Sequence, residues 1–266
     1  MSRFASATAR AALLVTVLLL APDLARAACA DVDPSHSRWT ELLGRFVARG
    51  QVDYAGLARD GRPALEAYLA GLSGACAADH ERWTPAERIA FWINAYNAFT
   101  VKLILDHYPV ASIRKIGWLP GAAFRRKFIP MQWLKGATLS LDGIEHDTLR
   151  SEFREPRIHF ALVCAARSCP PLRGEAYRGA DLERQLEEQG RAFLRDPARN
   201  RVDVQRRTLY LSSIFSWFRG DFESAAGSLQ AFVAAYLEQA DRGVSGYAVE
   251  FLDYDWALND RATGAP

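Results

Sequence analysis

The stretch WTPAERIAFWINAYNAFTVKLILDHYP, residues 83–109, predicts the helix around which the rest of the chain folds. Thr84 followed by Glu87 makes a capping box, Pro85 suits the first helical position, and Pro109 ends the segment. Between these signals the apolar side chains occupy nearly every face of the helix. A helix of this kind is buried on most sides, so we expect it at the centre of a hydrophobic core.

Two asparagines interrupt this apolar segment. Asn94 and Asn97 are three residues apart and therefore share a face of the helix. A buried amide must be hydrogen-bonded, because leaving it unpaired costs about 1–3 kcal/mol. Two interpretations follow: the amides tie down neighbouring loops, or they orient a catalytic group.

The segments around this helix predict a single α+β domain. Helical periodicity marks residues 34–49, 62–72, 179–196 and 228–239, strand-like patterns mark residues 127–144, 157–165 and 208–215, and residues 247–260 are predicted to be a strand and turn. We expect a buried central helix packed on a small mixed or antiparallel sheet. Residues 158–164 are predicted to be a central strand that His159 opens.

The first residues predict a secretory signal peptide, residues 1–27. Arg3 and Arg10 precede an apolar run, residues 11–21, and Ala25-Arg26-Ala27 matches a small-x-small cleavage site. The run is shorter than the roughly 20 residues that span a bilayer. We expect a secreted, periplasmic protein with no membrane span after cleavage; an uncleaved N-terminal anchor is the alternative.

Cleavage after residue 27 would leave a chain without net charge. The full chain has 33 basic and 31 acidic residues, and loss of Arg3, Arg10, Arg26 and Asp23 leaves 30 of each. A balanced chain lacks the basic footprint of a nucleic-acid partner. The cations of RKFIPMQWLK, residues 126–135, are interpreted as a solvated strand rim.

Four cysteines would follow the leader into an oxidising compartment, where an even count favours disulfides. Cys29 and Cys76 lie beside loops in the first third of the chain, and their pairing would leave Cys164 and Cys169 to pair locally or remain reduced. The spacings match no zinc site. Without a glycine-rich loop after a strand or an HExxH motif, the sequence predicts neither a metal nor another cofactor.

The stretch HFALVCAARSCPPLR, residues 159–173, offers a candidate nucleophile. Cys169 lies between Arg167 and Arg173 and precedes two prolines, where a helical turn can start. Nearby cations and a helix N-terminus both favour a thiolate. His159 is the preferred base, so the sequence suggests a cysteine-dependent hydrolase or acyl transferase acting on an envelope peptide or amide.

Other residues complete this candidate site. Asn94 or Asn97 would orient the imidazole, as the third group does in papain-like sites. Glu145 and His146 form a secondary site, although Asp142 as N-cap with Glu145 three residues later explains both carboxylates structurally. We expect the site where the end of the 158–164 strand meets the central helix.

The alternative is a non-catalytic binding or scaffold module. A Cys164–Cys169 disulfide would pin the strand to the next turn, with Arg167, Ser168 and Asp255 as binding residues. The partner would be an unidentified envelope peptide, glycan or protein. The tryptophans that could form its surface are expected instead to pack in the core: Trp118, Trp133, Trp217 and Trp256.

Several blocks together resemble one family: AFWINAYNAFTV, LSLDGIEHDTLR, RIHFALVCAARSCPPLR, SSIFSWFRGDF and FLDYDWALN. They are similar to the family of domains of unknown function numbered 547. The resemblance implies a domain over residues 50–259. We expect an N-terminal helical segment over 28–49 before it and a disordered tail over 260–266 after it. It implies no agreed activity. The order of helix and His-headed strand is similar to papain, but the helix carries Asn94 and Asn97 where papain has its nucleophile.

Overall fold

The computed structural model describes residues 32–134, 136–238 and 243–263. The α-helices, numbered along the chain, are α1 Ser37–Phe46, α2 Tyr54–Gly56, α3 Arg62–Ser73, α4 Ala77–Arg82, α5 Pro85–Leu105, α6 Ala122–Arg125, α7 Leu182–Leu194, α8 Ile214–Trp217, α9 Arg219–Ala226 and α10 Leu229–Ala234. The strands are β1 Val47–Ala48, β2 Gln51–Val52, β3 Ile129–Met131, β4 Ala137–Leu139, β5 Arg201–Asp203, β6 Thr208–Ser212 and β7 Ala248–Leu252. Shorter turns are π-helical at Leu57–Gly61 and Gly143–Arg150, and 3-10 at Ile113–Lys115, Gln132–Leu134, Pro156–Phe160, Gly179–Asp181 and Arg261–Thr263.

The predicted central helix is confirmed as α5. Its capping box is complete, because the Thr84 hydroxyl accepts from the Glu87 N–H at 3.3 Å and the Glu87 carboxylate accepts from the Thr84 N–H at 2.8 Å. Every residue from Ile89 to Val101 is buried. Helices α3 and α7 and the Gly143–Arg150 turn pack around it, so its surroundings are chiefly helical.

Two hydrophobic clusters divide the interior. The first surrounds α5 and includes residues of α1 and α3, and the second lies between the β5-β6-β7 sheet and helices α7 to α10. Strand β6 pairs antiparallel with β5 and parallel with β7, while β3 and β4 form a separate antiparallel pair. The combination of many helices with small antiparallel and mixed sheets confirms the predicted α+β class. The papain-like element order stays a prediction.

The strand predicted over residues 158–164 is wrong. Pro156–Phe160 is a 3-10 turn, and the N–H groups of Ala161 and Leu162 both donate back to the Ile158 carbonyl, at 2.8 and 2.9 Å. Pro156 favours a helical start, and the Glu155 carboxylate accepts from the Arg157 N–H at 3.0 Å. A fully buried turn has the same apolar run as a central strand, which is why the pattern misled.

The C-terminal boundary is also corrected. Asp260 is buried, accepts a hydrogen bond from the Tyr108 hydroxyl at 2.8 Å and pairs with Val52 in a parallel bridge. Asp260 is therefore packed against the domain, although the sequence predicted that a disordered tail begins there. The predicted signal peptide, Cys29 and residues 264–266 lie outside the described residues. Within the described ranges, none of the helices combines the length and hydrophobicity needed to cross a membrane.

Candidate functional site

A cleft of about 180 Å³ lies between the two hydrophobic clusters. Leu162 and Ile214, which belong to different clusters, both line it. Its remaining walls are acid–base groups, two sulfurs and aromatic rings: Asp142, Glu145, His146, His159, Cys164, Cys169, Tyr96, Phe124, Trp217, Phe218, Tyr254, Trp256 and Pro170. The predicted Cys169, His159, Glu145 and His146 thus share one site.

His159 is held rigidly in this cleft. Its side chain is fully buried, and its imidazole stacks on Phe218 with ring centroids 3.8 Å apart and planes 14° apart. Nε2 lies 2.8 Å from a carboxylate oxygen of Asp221. Asp221 also receives two hydrogen bonds from Arg150, at 2.6 and 2.8 Å. The Arg150 hydrogen bonds, and then the His159 hydrogen bond, hold the pKa of Asp221 well below its usual range, so the carboxylate is charged at neutral pH.

The other imidazole nitrogen faces a second carboxylate. Nδ1 of His159 lies 3.7 Å from Glu145 Oε1, is buried, and makes no hydrogen bond within the described part of the chain. Buried polar atoms are nearly always paired, so an orphaned ring nitrogen in a cleft is a candidate contact for a substrate. The Asp221 contact places a proton on Nε2 and leaves Nδ1 as the basic nitrogen.

Carboxylates crowd the floor of the cleft. Burial, with the nearby Glu145 charge adding to it and His146 opposing it, raises the pKa of Asp142. Burial, together with the charges of Glu145 and Asp142, raises the pKa of Tyr96 well above its usual value. The predicted Asp142 cap is wrong: its side chain makes no capping bond, and the Ser140 hydroxyl accepts from the Gly143 N–H instead, at 3.0 Å. Asp142 and Glu145 are therefore free to face the cleft.

Cys164 and Cys169 are joined by a disulfide, with Cα atoms 6.1 Å apart. The Cys169 sulfur accepts hydrogen bonds from the N–H groups of Cys164 and Ala166, at 3.0 and 3.5 Å, and from the Tyr254 hydroxyl at 3.3 Å. Between those two N–H groups Ala165 has a left-handed φ of 59°, which curls the main chain around the sulfur. Concave arrangements of main-chain N–H groups of this kind stabilise negative charge.

The two asparagines of α5 bind main chain. Asn97 donates to the Ala161 carbonyl at 2.9 Å and accepts from the Val163 N–H at 2.8 Å. Asn94 makes the same pair of bonds to Tyr177, at 2.7 and 3.0 Å. Both amides therefore have loop-fixing partners, and the group that orients the imidazole of His159 is Asp221.

The predicted binding residues lie beside the cleft and stabilise its outer turn. The Ser168 hydroxyl accepts from the Asp255 N–H at 2.8 Å, and the Asp255 carboxylate accepts from the Ala257 N–H at 2.8 Å. Arg167 lines a neighbouring depression together with Arg49 and Arg199, and Cys169 lines both this depression and the cleft. These contacts give Ser168 and Asp255 a structural role in joining the cysteine turn to residues 255–257.

Sequence reasoning missed Asp221, Tyr254 and Tyr96 as site residues. Asp221 lies 62 positions from His159 and reaches it only because α9 packs against the 3-10 turn. The charged pair in FRGDF, within an otherwise aromatic segment, was the one local signal for Asp221. In the described ranges no group of three or more His, Cys, Asp or Glu side chains is arranged to hold a metal ion.

Comparison with known proteins finds a similarity to one family. Residues 80–194 match the family described as "Protein of unknown function, DUF547". This match confirms the resemblance found in the sequence, over a shorter range than the predicted 50–259. Neither the curated proteins nor the solved structures yield a match to the chain.

Proposed function

Because residues 80–194 match a family described as of unknown function, we propose an activity from the cleft itself. The chain is a cysteine-dependent hydrolase or acyl transferase whose nucleophile, Cys169, is released when a dithiol reductant opens the Cys164–Cys169 disulfide and is itself oxidised to a disulfide. One observation carries this proposal: a single cleft is lined by the cysteine pair and by an imidazole that Asp221 orients. Nucleophile, base and orienting carboxylate are the three parts that thiol-based acyl transfer needs.

The surroundings of Cys169 favour a charged sulfur after reduction. Two main-chain N–H groups and the Tyr254 hydroxyl already point at it. Hydrogen bonds to the charged form stabilise a thiolate, which is the reactive species of cysteine. The charges of Arg167 and Arg173, invoked from the sequence, are not needed for this. The Arg173 guanidinium is paired with Glu175 and Glu188.

The proposed reaction follows from these positions. The Cys169 thiol first gives its proton to Nδ1 of His159. The thiolate then attacks the carbonyl carbon of an ester or amide and forms a C–S bond, and the bond from that carbon to the leaving group breaks as the leaving group takes the proton from Nδ1. A water molecule or acceptor nucleophile then gives its proton to Nδ1 of His159 and attacks the thioester, and Cys169 leaves as thiolate. Asp221 and Glu145 flank the imidazole and stabilise its positive charge during each transfer.

The aromatic wall suggests the kind of substrate. Trp217, Tyr254 and Trp256 pack against one another with ring centroids 4.7 to 5.7 Å apart, and Trp217 remains half exposed. Such a wall suits an apolar or flat substrate group next to the acyl carbon. An envelope peptide or amide, the substrate class expected from the predicted export, would meet this requirement.

A non-catalytic binding module is the second candidate. It is favoured by the disulfide itself and by the burial of Cys169, which is only 1% exposed. In that case the sulfurs fix the turn, and the aromatic wall alone binds a ligand.

Ester turnover separates the two candidates. The chain would be assayed with p-nitrophenyl acetate, with and without a phosphine reductant, as wild type, Cys169→Ser and His159→Gln. We expect turnover only after reduction, its loss in Cys169→Ser, and a drop of roughly a hundredfold in His159→Gln. His107→Gln is the matched control, because among the described residues this partly buried ring has the Leu103 carbonyl and Arg126 as its hydrogen-bond partners, and neither lines the cleft.

The opposite result is equally clear. If reduced wild type hydrolyses the ester no faster than Cys169→Ser, while thermal unfolding shows both chains folded, the domain is a binding module.

A further inference from the structure

A surface loop, residues 113–127, presents large apolar side chains to solvent. Trp118 is fully exposed and Leu119 is 68% exposed. The sequence analysis expected Trp118 in the core, and the structure places it at the tip of the loop instead. Keeping these two side chains in water forgoes about 1.5–3 kcal/mol of hydrophobic stabilisation each, so the fold of the domain does not account for them.

The loop has a defined conformation that its buried ends and two glycines fix. Ile113, Ile116 and Ala123 are buried and anchor its two ends. Between them Gly117 and Gly121 have left-handed φ values of 91° and 73°, and a Cβ on Gly117 would lie 2.7 Å from the Ala122 side chain. The tip is therefore a tight turn that holds Trp118 and Leu119 outward.

The loop is also the centre of a positively charged region. Residues 107–141 contain no Asp or Glu, although the whole chain has 33 basic and 31 acidic residues. The region has six cations: Arg114, Lys115, Arg125, Arg126, Lys127 and Lys135. The first five are exposed, and none of them forms an ion pair with a carboxylate within the described ranges.

We propose that this loop docks the protein on an anionic phospholipid surface. Trp118 and Leu119 enter the interface, and the surrounding cations contact the lipid phosphates. The layered chemistry of a bilayer matches both features, because tryptophan prefers the membrane–water interface and each nearby Lys or Arg adds electrostatic attraction. Nucleic acid would match the cations but leave the apolar tip unexplained.

Docking would bring the cleft to the lipid surface. The Arg114 guanidinium lies over the Trp256 ring, 5.3 Å from its centroid, and the Phe124 ring lies 6.4 Å from the same tryptophan. Phe124 and Trp256 both line the cleft. The loop therefore adjoins the cleft entrance, a relation that does not depend on whether the cleft is catalytic.

Vesicle binding tests the proposal. The full chain would be sedimented with phosphatidylcholine vesicles and with vesicles containing phosphatidylglycerol. We expect binding to the anionic vesicles that weakens with salt, and a loss of roughly tenfold or more in Arg125→Gln/Arg126→Gln/Lys127→Gln. Trp118→Ser/Leu119→Ser should lose a similar amount. Arg38→Gln/Arg154→Gln/Arg206→Gln removes the same charge from other exposed sites and should bind normally.

Brominated lipids test insertion of the tip directly. They quench tryptophans that enter a bilayer, so they report on Trp118 even if the apolar run at residues 11–21 also holds the full chain to vesicles. We expect quenching in wild type that disappears in Trp118→Ser. Adding Val204→Trp to that variant, at another exposed position, should not restore it.

Three results would overturn the proposal. Quenching that is unchanged in Trp118→Ser shows that the tip does not insert. Equal losses of vesicle binding in the loop triple variant and in the control triple variant show that net charge alone is responsible. Capture of nucleic acid by the same cations, with no binding to vesicles, shows that the surface serves a different partner.

Discussion

His159 lies between two carboxylates and can therefore carry positive charge with little movement of its surroundings. Asp221 binds one nitrogen at 2.8 Å, and Glu145 lies 3.7 Å from the other. Arg150 fixes Asp221 from its far side through two hydrogen bonds. A buried histidine with a purely structural role would have both ring nitrogens hydrogen-bonded, whereas Nδ1 of His159 has no hydrogen-bond partner in the described part of the chain.

His36 lies outside the cleft and should make the folding stability depend on pH. Burial lowers its pKa from 6.5 to about 4, partly offset by the nearby Asp33, while the Tyr68 hydroxyl lies 2.8 Å from its Nδ1. Between these two pKa values the unfolded chain binds more protons than the folded chain, so folding stability falls as the solution becomes more acidic. Between about pH 7 and about pH 5, the protonation of His36 in the unfolded chain should lower the free energy of unfolding by about 2 kcal/mol.

Urea unfolding of wild type and His36→Gln at both pH values measures that cost. The stability lost on acidification should be about 2 kcal/mol smaller in His36→Gln, because the glutamine does not titrate. An equal loss in the two chains would show that His36 does not accept a proton on unfolding.

At the scale of single elements, helix α5 was the part most readily predicted from sequence. Its capping box and its two flanking prolines are local signals, and its apolar faces need no knowledge of the partners. The 158–164 segment was misassigned because a buried turn and a buried strand have the same apolar pattern. His159 was nevertheless placed in the right cleft, because the Asn97 amide binds the main chain of residues 161 and 163 to α5.

The two asparagines of α5 should differ in effect. Asn97→Ala and Asn94→Ala each leave one buried carbonyl and one buried N–H unpaired, so each should destabilise the protein by about 3 kcal/mol in urea unfolding. Only Asn97 holds the segment that leads into Cys164. Reduction of the Cys164–Cys169 disulfide by dithiothreitol should therefore accelerate in Asn97→Ala and remain near the wild-type rate in Asn94→Ala. Equal acceleration in both variants would contradict this division of roles.

At the scale of the whole molecule, the cleft forms where two cores meet. Ile158 and Ala161 pack in the first cluster, and Phe160 between them packs in the second. Tyr254 contacts both clusters and reaches the sulfurs. The residues that complete the site are far apart in sequence, as with His159 and Asp221. Sequence patterns could thus identify Cys169, His159, Glu145 and His146, but could not pair His159 with Asp221.

The positively charged loop lies next to the cleft in the folded molecule. The cationic loop and the aromatic wall meet at Trp256, so a substrate held at a lipid surface would lie near the entrance. The two proposals can fail separately: vesicle binding needs no reduced cysteine, and ester turnover needs no lipid.

Mass spectrometry of the reduced chain after brief exposure to p-nitrophenyl acetate tests the central claim most directly, because it identifies the cysteine that carries the acetyl group. The account predicts acetylation at Cys169 in preference to the more exposed Cys164, and little adduct in Asp221→Asn, in which Nε2 of His159 has lost its carboxylate partner. Acetylation confined to Cys164, or equal adduct at Cys169 in wild type and Asp221→Asn, would contradict it.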